Sequence, residues 1–189
     1  MSTSPLPYFR GKGVLEQMVR DSGLSYAIVL PALVVGRGDI LLNNIAWFLR
    51  HVPVFGLPGG GGYRVQPIHA RDLADAVVTA AGRTENQEFD AVGPDTMTFA
   101  ELVEAMRVAL GSHCLVLPMP QRLALAGTAL AGLLLRDCVL TADEVAGLRA
   151  NLLTSDEPPV GNTTFAAWLA EDGDALGRHY ANEVHRHFR

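Results

Sequence analysis

From Ser25 to Leu117 short apolar runs of strand length alternate with longer segments of helical periodicity, and this alternation limits the chain to few architectures. Ser25-Tyr26-Ala27-Ile28-Val29-Leu30 is stopped by Pro31. Asp39 to Arg50 follows, with Ile40, Leu41, Asn44, Ile45, Phe48 and Leu49 at helical spacing. Val52 to Leu57 and Tyr63 to His69 read as extended, with Gly59 to Gly62 as a loop between them. Leu73 to Gly82 reads as a helix capped or opened by Asp72, and Glu88 to Val92 as a strand ending at Gly93-Pro94. Thr98 and Glu101 fit a capping box before the stripe Phe99, Leu102, Val103, Met106 and Leu110, and Cys114 to Leu117 is a further strand. Strands separated by helices pair in parallel, because each return needs a crossover. The class expected is α/β, with about four or five strands, too few for a complete doubly wound sheet.

The flanks read as helical. Arg10 to Arg20 places Val14, Leu15, Met18 and Val19 on one side and ends at Ser22-Gly23. Arg122 to Leu135, Thr141 to Leu153 (a second capping box, Thr141 with Glu144), Thr164 to Leu169 and Asp174 to the C-terminus complete the set. Two regions are expected, an α/β part over 1–120 and a mostly helical part over 121–189.

Composition excludes several classes. Twenty acids against fifteen bases, a net charge of −5, leave no electrostatic footprint for nucleic acid. Hydrophobic residues at 49% with only 19% charged argue against disorder. Cys114 and Cys138 are too few for a disulfide framework and read as small buried residues in a reducing compartment. Met1-Ser2-Thr3-Ser4-Pro5 has neither the basic nor the apolar stretch of a signal peptide. The longest apolar run, Leu123 to Leu135, is shorter than the ~20 residues a spanning helix needs. A cytoplasmic protein without a transmembrane segment is expected, with Arg122 to Leu135 as a candidate membrane-peripheral face.

Fourteen of the fifteen bases are arginine, and the single lysine, Lys12, lies four residues after Tyr8. At that spacing two helical side chains share a face. A compact ammonium there would lower the pKa of the phenol, which a broad guanidinium does less well. The plain alternative is a solvated helix start whose tyrosine packs on the core.

Other candidate motifs carry less. Gly56, Gly59 and Gly62 match a G-x-x-G-x-x-G spacing, but Tyr63-Arg64-Val65-Gln66-Pro67 follows where a dinucleotide fingerprint needs a helix, so a turn or substrate-side loop is the better reading. His185 and His187 are two apart and would face apart on a helix, which suits a solvated terminus better than a metal site. His69 reads as a strand-end histidine before a helix cap.

In order and spacing these segments resemble the C-terminal half of an extended or atypical short-chain dehydrogenase/reductase. The residues carrying the likeness are Tyr8-x-x-x-Lys12, Ser22-Gly23-Leu24, the strand ending in Pro31, Gly36, Pro67-Ile68-His69 with Asp72-Leu73-Ala74, and Phe89 to Pro94 before the Thr98 helix. Arg50 to Phe55 looks like the branch that includes the nucleotide-binding accessory subunit of respiratory complex I. The resemblance implies a partial Rossmann-like doubly wound parallel sheet lacking its N-terminal strands, and NAD or NADP as cofactor. It implies Tyr8 as general acid/base and Lys12 as the group that tunes it and bonds the nicotinamide ribose. Pro31, Ala32, Leu33 and Val34 would neighbour the cofactor, and Asn43, Arg64 and His69 would stand on the substrate side.

The family's Gly-rich first turn and the strand with its catalytic serine lie before the tyrosine, where this sequence has seven residues. Leu30 stands where such families often carry arginine. The expectation is an NAD(P)-dependent oxidoreductase or epimerase-like protein, not catalytic alone, that docks on an N-terminal half or another polypeptide and acts on a small molecule. The alternative is a non-catalytic nucleotide-sensing, assembly or scaffold protein with the same fold.

Overall fold

The computed structural model describes residues 7–137, 145–147, 150 and 152–182, apart from the side chains of 7–9 and 134. Cys138, Thr141, Glu144, His185 and His187 fall outside it. In chain order the elements are α1 (Pro7–Asp21), β1 (Ala27–Pro31), β2 (Leu33–Val35), α2 (Ile40–His51), β3 (Val54–Pro58), a 3-10 turn (Gly59–Gly61), β4 (Arg64–Val65) and β5 (Pro67–His69). Then follow α3 (Ala70–Ala81), β6 (Gln87–Ala91), β7 (Met97–Thr98), α4 (Phe99–Ala109), β8 (Leu115–Met119), α5 (Gln121–Leu135) and α6 (Phe165–Asp172).

The parallel pairing expected of βα units is present. β1 pairs with β6 (Ala27 opposite Gln87), β2 with β5 (Val35 opposite His69) and β3 with β8 (Val54 opposite Leu115), all parallel. β4 and β7 form a short antiparallel pair. The strands are thus eight short ones in four ladders among the described residues, more numerous and shorter than four or five.

Three helices bury the same pattern of positions. α2 buries Leu42, Ile45, Ala46 and Leu49, α4 buries Phe99, Leu102, Val103 and Met106, and α6 buries Phe165, Trp168, Leu169 and Asp172. Spacing of three, four and seven puts each set on one helical face. The apolar members of all three sets meet in one core cluster with Leu33, Val35, Leu57, Tyr63, Val65 and Cys114. Full burial of each large side chain stabilises by ~1.5–3 kcal/mol. The capping box at Thr98 forms as expected: its hydroxyl accepts from the Glu101 amide, and the Glu101 carboxylate accepts from the Thr98 amide at 2.7 Å.

α1 differs from these helices. Val14, Leu15, Met18 and Val19 all remain exposed, Met18 at 64%. The helix is tied down at its C-terminal end, where Arg20 Nε donates to Glu88 on β6 at 3.2 Å.

Several segments depart from the sequence reading. Tyr63 to His69 is not one strand: Gln66 interrupts it, with its backbone amide on Leu153 O and its side chain bridging Gly93 O and the Ser155 amide. α3 starts at Ala70 with His69 as its cap, so Asp72 lies in the first turn. Residues 176–182 are not helical. They form a strap across α2, where Asn43 and Asn44 hold Gly177, His179 and Ala181 by hydrogen bonds of 2.9–3.0 Å. Those side-chain bonds compete with a helix for the same backbone groups.

Candidate active site

The β1-to-β2 passage is the centre of the expected site. Pro31 ends β1 exposed, and Ala32 continues toward β6 by donating to Ala91 O at 3.3 Å. Leu33 turns into the core, while Val34 and Ala32 keep partial exposure. β2 lies in register on β5, which brings His69 beside Val35 and Gly36. His69 is 7% exposed, and its Nδ1 accepts from the Arg71 amide at 3.3 Å. That bond requires Nδ1 to be unprotonated and leaves the ring's N–H on Nε2.

The other predicted residues are distributed around this passage. Tyr8 stands in the first turn of α1, its side chain outside the described set, and Lys12 is exposed one turn later. Asn43 spends its amide on Gly177 and His179. Arg64 is exposed on β4, opposite Thr98. The structure therefore sets Leu33 and Val34 on the ladder that carries His69, leaves Pro31 and Ala32 along β6, and gives Asn43 and His69 hydrogen-bonding tasks of their own.

Asp72 opens α3 in its first turn, one of the two places the sequence allows, and has long-range partners as well. Its carboxylate accepts from the Asn162 and Thr163 amides at 2.9 and 2.7 Å and from the Thr163 hydroxyl at 3.1 Å. Burial raises its pKa, but these bonds outweigh it and hold the carboxyl below its ordinary value. The clamp pins residues 160–163 over the start of α3. Gly93 is more than a strand end: a Cβ there would overlap the Pro67 carbonyl, so only glycine allows β5 to approach.

A dinucleotide needs a helix N-terminus open to its pyrophosphate. The strand-to-helix turn Gly36-Arg37-Gly38-Asp39 is the nearest match, but the Asp39 carboxylate already accepts from the Leu42 amide at 2.7 Å. Burial pushes that carboxyl up, against the pull of the Leu42 and Leu41 amides, and a second anion there would be repelled. α3, α4 and α6 are capped by His69, Thr98 and Thr164. α5 starts at Pro120 without a side-chain cap, and Met119-Pro120 offers no glycine turn. At α2, α3, α4 and α6 a side-chain acceptor thus already occupies the helix N-terminus. Among the described residues no cluster of three His, Cys, Asp or Glu could hold a metal ion.

No family model matches the chain. It is 32% identical over 107 residues to the mitochondrial NADH dehydrogenase (ubiquinone) 1 alpha subcomplex subunit 9 of Arabidopsis thaliana, covering 55% of this chain and 27% of that one. It is 32% identical over 110 residues to an NAD(P)H azoreductase of Xenophilus azovorans, covering 57% and 37%. The chain thus spans about a quarter to two fifths of the length of these curated relatives. A nucleoside-diphosphate-sugar epimerase from Staphylococcus aureus superposes with a TM-score of 0.64 at 18% identity, covering 90% of this chain and 61% of that one.

Over part of its length the chain is similar to these two curated relatives, and over most of it to the fold of that epimerase. A human epimerase family protein, solved with NADPH, superposes with a TM-score of 0.53 at 21% identity over 80% of this chain and 49% of its own. Both superpositions give the same fold, a Rossmann-like α/β architecture. No helix among the described residues is long and apolar enough to cross a membrane, α5 included.

Proposed function

We propose that this chain supplies the proton-transfer and substrate-side part of an NAD(P)-dependent oxidoreductase or epimerase-like protein. The observation that carries the reading is Tyr8 and Lys12 at i,i+4 on α1, directly before β1, in a chain of which 110 residues are 32% identical to an NAD(P)H azoreductase. Tyr8 Oη is the group that gives or takes a proton at the substrate oxygen. A free phenol has a pKa near ~10, too high for a base at neutral pH, so it needs a nearby cation, which Lys12 provides. Pro31, Ala32, Leu33 and Val34 border the nicotinamide, Leu33 through its backbone. Arg64 and His69 face the substrate, and Asn43 supports that side by holding the 176–182 strap.

The side-chain acceptors already seated at the N-termini of α2, α3, α4 and α6 support a chain that is not catalytic alone. The glycine-rich cradle then comes from a segment other than the described residues, on this or another polypeptide. In this reading 1–120 belongs to the nucleotide-binding and substrate region and 121–189 to a helical C-terminal region. The test is titration of the purified chain with NADH and NADPH, followed by fluorescence and melting, before and after adding a glycine-rich N-terminal half. Binding and turnover are expected only with the added half, and Tyr8→Phe then abolishes turnover. Turnover indifferent to Tyr8→Phe refutes the assignment.

A second reading, a non-catalytic assembly protein, is favoured by the apolar face of α1, where Leu15 and Met18 are 57% and 64% exposed, and by the relative named as a complex subunit. It predicts a polypeptide partner on α1. Leu15→Lys with Met18→Lys would release that partner and leave the chain's own melting unchanged.

A further inference from the structure

α5 is held differently from the helices that build the core. Among the described side chains none of α5 joins the core cluster, and Leu123, Leu130 and Leu133 stand 61%, 63% and 77% exposed. Its inward residues are small. Ala124, Thr128 and Ala131 face a cavity of about 300 Å³ whose other walls include Ile45 and Phe48 of α2 and Phe55 of β3. α5 thus lacks the large buried side chains that anchor α2, α4 and α6.

What holds α5 lies at its two ends. At its start a single residue, Pro120, separates it from β8, and no side chain caps its first turn. At its far end the 176–182 strap reaches over from α2. The Tyr180 hydroxyl donates to the Asp137 carboxylate at 2.7 Å. The Asn182 amide donates to the Leu135 and Arg136 carbonyls at 3.0 and 3.2 Å, at a helix end where no further turn supplies a donor. The strap itself is fixed on α2, where Asn43 and Asn44 hold its backbone. The Tyr180 ring also meets Trp47 and Phe48 edge-on, with centroids 5.3 and 6.2 Å apart. The three bonds to the end of α5 are polar and none is fully buried, so water can replace them locally while the core stays intact.

We propose that α5 is a lid on this cavity, hinged at Pro120 and latched by Tyr180 and Asn182. Release of the latch lets the helix leave α2 as a unit, and the apolar walls then open to solvent while the rest of the chain stays folded. The proposal is independent of nucleotide binding and of Tyr8.

Native-state hydrogen exchange of the purified chain, read by mass spectrometry in peptides of α5 and α4, tests it. α4 buries four core residues and reports unfolding of the whole chain. In the unaltered chain the α5 amides should exchange faster than those of α4 and with a weaker urea dependence, because the opening exposes less surface. Tyr180→Phe keeps the ring contacts and removes only the hydroxyl, whereas Asn182→Ala removes the other two bonds. Each should speed exchange in α5 about five- to tenfold and leave α4 unchanged. Access to the cavity is read separately with Ile45→Cys, at a wall position 6% exposed, labelled by iodoacetamide. Its labelling should quicken by the same factor when Tyr180→Phe is added, while Cys114 stays unlabelled. Three results overturn the proposal: α5 exchanging with the rate and urea dependence of α4, latch variants that speed α5 no more than α4, or Ile45→Cys labelling unmoved by a variant that speeds α5.

Discussion

Removing the Asp72 carboxylate gives a quantitative check on how residues 160–163 are held against α3. Three donors converge on it, two backbone amides and one hydroxyl, at 2.7–3.1 Å. Bonds to a charged acceptor are each worth ~1.5–3 kcal/mol net. The clamp is partly exposed, so water replaces some of each bond in the variant. Asp72→Ala should therefore cost about 2–3 kcal/mol in all, well short of the sum. Asp72→Asn keeps one acceptor for the amides and lets the Thr163 hydroxyl turn round, losing the charge-assisted share, about 1 kcal/mol.

The pH dependence follows from the lowered pKa. A carboxyl depressed in the folded state contributes stability that is fully present above its unfolded value, near ~3.9, and is lost as pH falls through the lower folded value. The Asp72→Asn penalty should be equal at pH 7 and pH 5 and shrink toward pH 3. Urea denaturation followed by the buried Trp168 measures this, and hydrogen exchange at the Asn162 and Thr163 amides localises it. A penalty below ~0.5 kcal/mol for Asp72→Ala would show that the loop is held by something else. One that persists undiminished at pH 3 would remove the charge from the explanation.

Gly177→Ala should destabilise by about 2–4 kcal/mol, because its φ is +68° and a Cβ would overlap the Ala46–Trp47 backbone; calorimetric melting reads this directly. Cys114 should resist iodoacetamide at pH 8 in the folded chain and react once unfolded, since it is 4% exposed and burial pushes its thiol up against the pull of Arg107; peptide mass spectrometry follows that one site.

What the sequence made legible is local. The buried face of α4 follows from spacing alone, and the Thr98–Glu101 box from four adjacent residues; on α2 the expected stripe shares only Ile45 and Leu49 with the buried set, which takes Leu42 and Ala46 in place of the 38%-exposed Leu41. What escaped depends on partners far along the chain. The break at Gln66 exists because its side chain bonds Ser155, 89 residues on, and no local pattern in Tyr63 to His69 reveals it. α3 begins at Ala70 rather than Leu73, so His69 is the cap and Asp72 opens the first turn, where its carboxylate meets Asn162 and Thr163 about ninety residues away. Asn43 stands on the substrate side only by resemblance; its hydrogen-bond partners Gly177 and His179 lie more than 130 residues downstream, where no local pattern reveals them. The parallel pairing was legible, since strands punctuated by helices have few alternatives, while its division into separate ladders was not.

The registers themselves set a timetable for biosynthesis. Ala27 waits for Gln87 and Val54 for Leu115, each about sixty residues later. At ~5–20 residues per second of translation each waits roughly 3–12 s after leaving the ribosome with its strand edge unpaired. Parallel ladders of such long separation are also slow to close afterwards, because loop entropy is lost before any pairing is gained. The nascent chain is therefore most exposed to aggregation before Gln87 emerges, when α1's apolar face and β1's bare edge are displayed together, and chaperone capture should concentrate in that window.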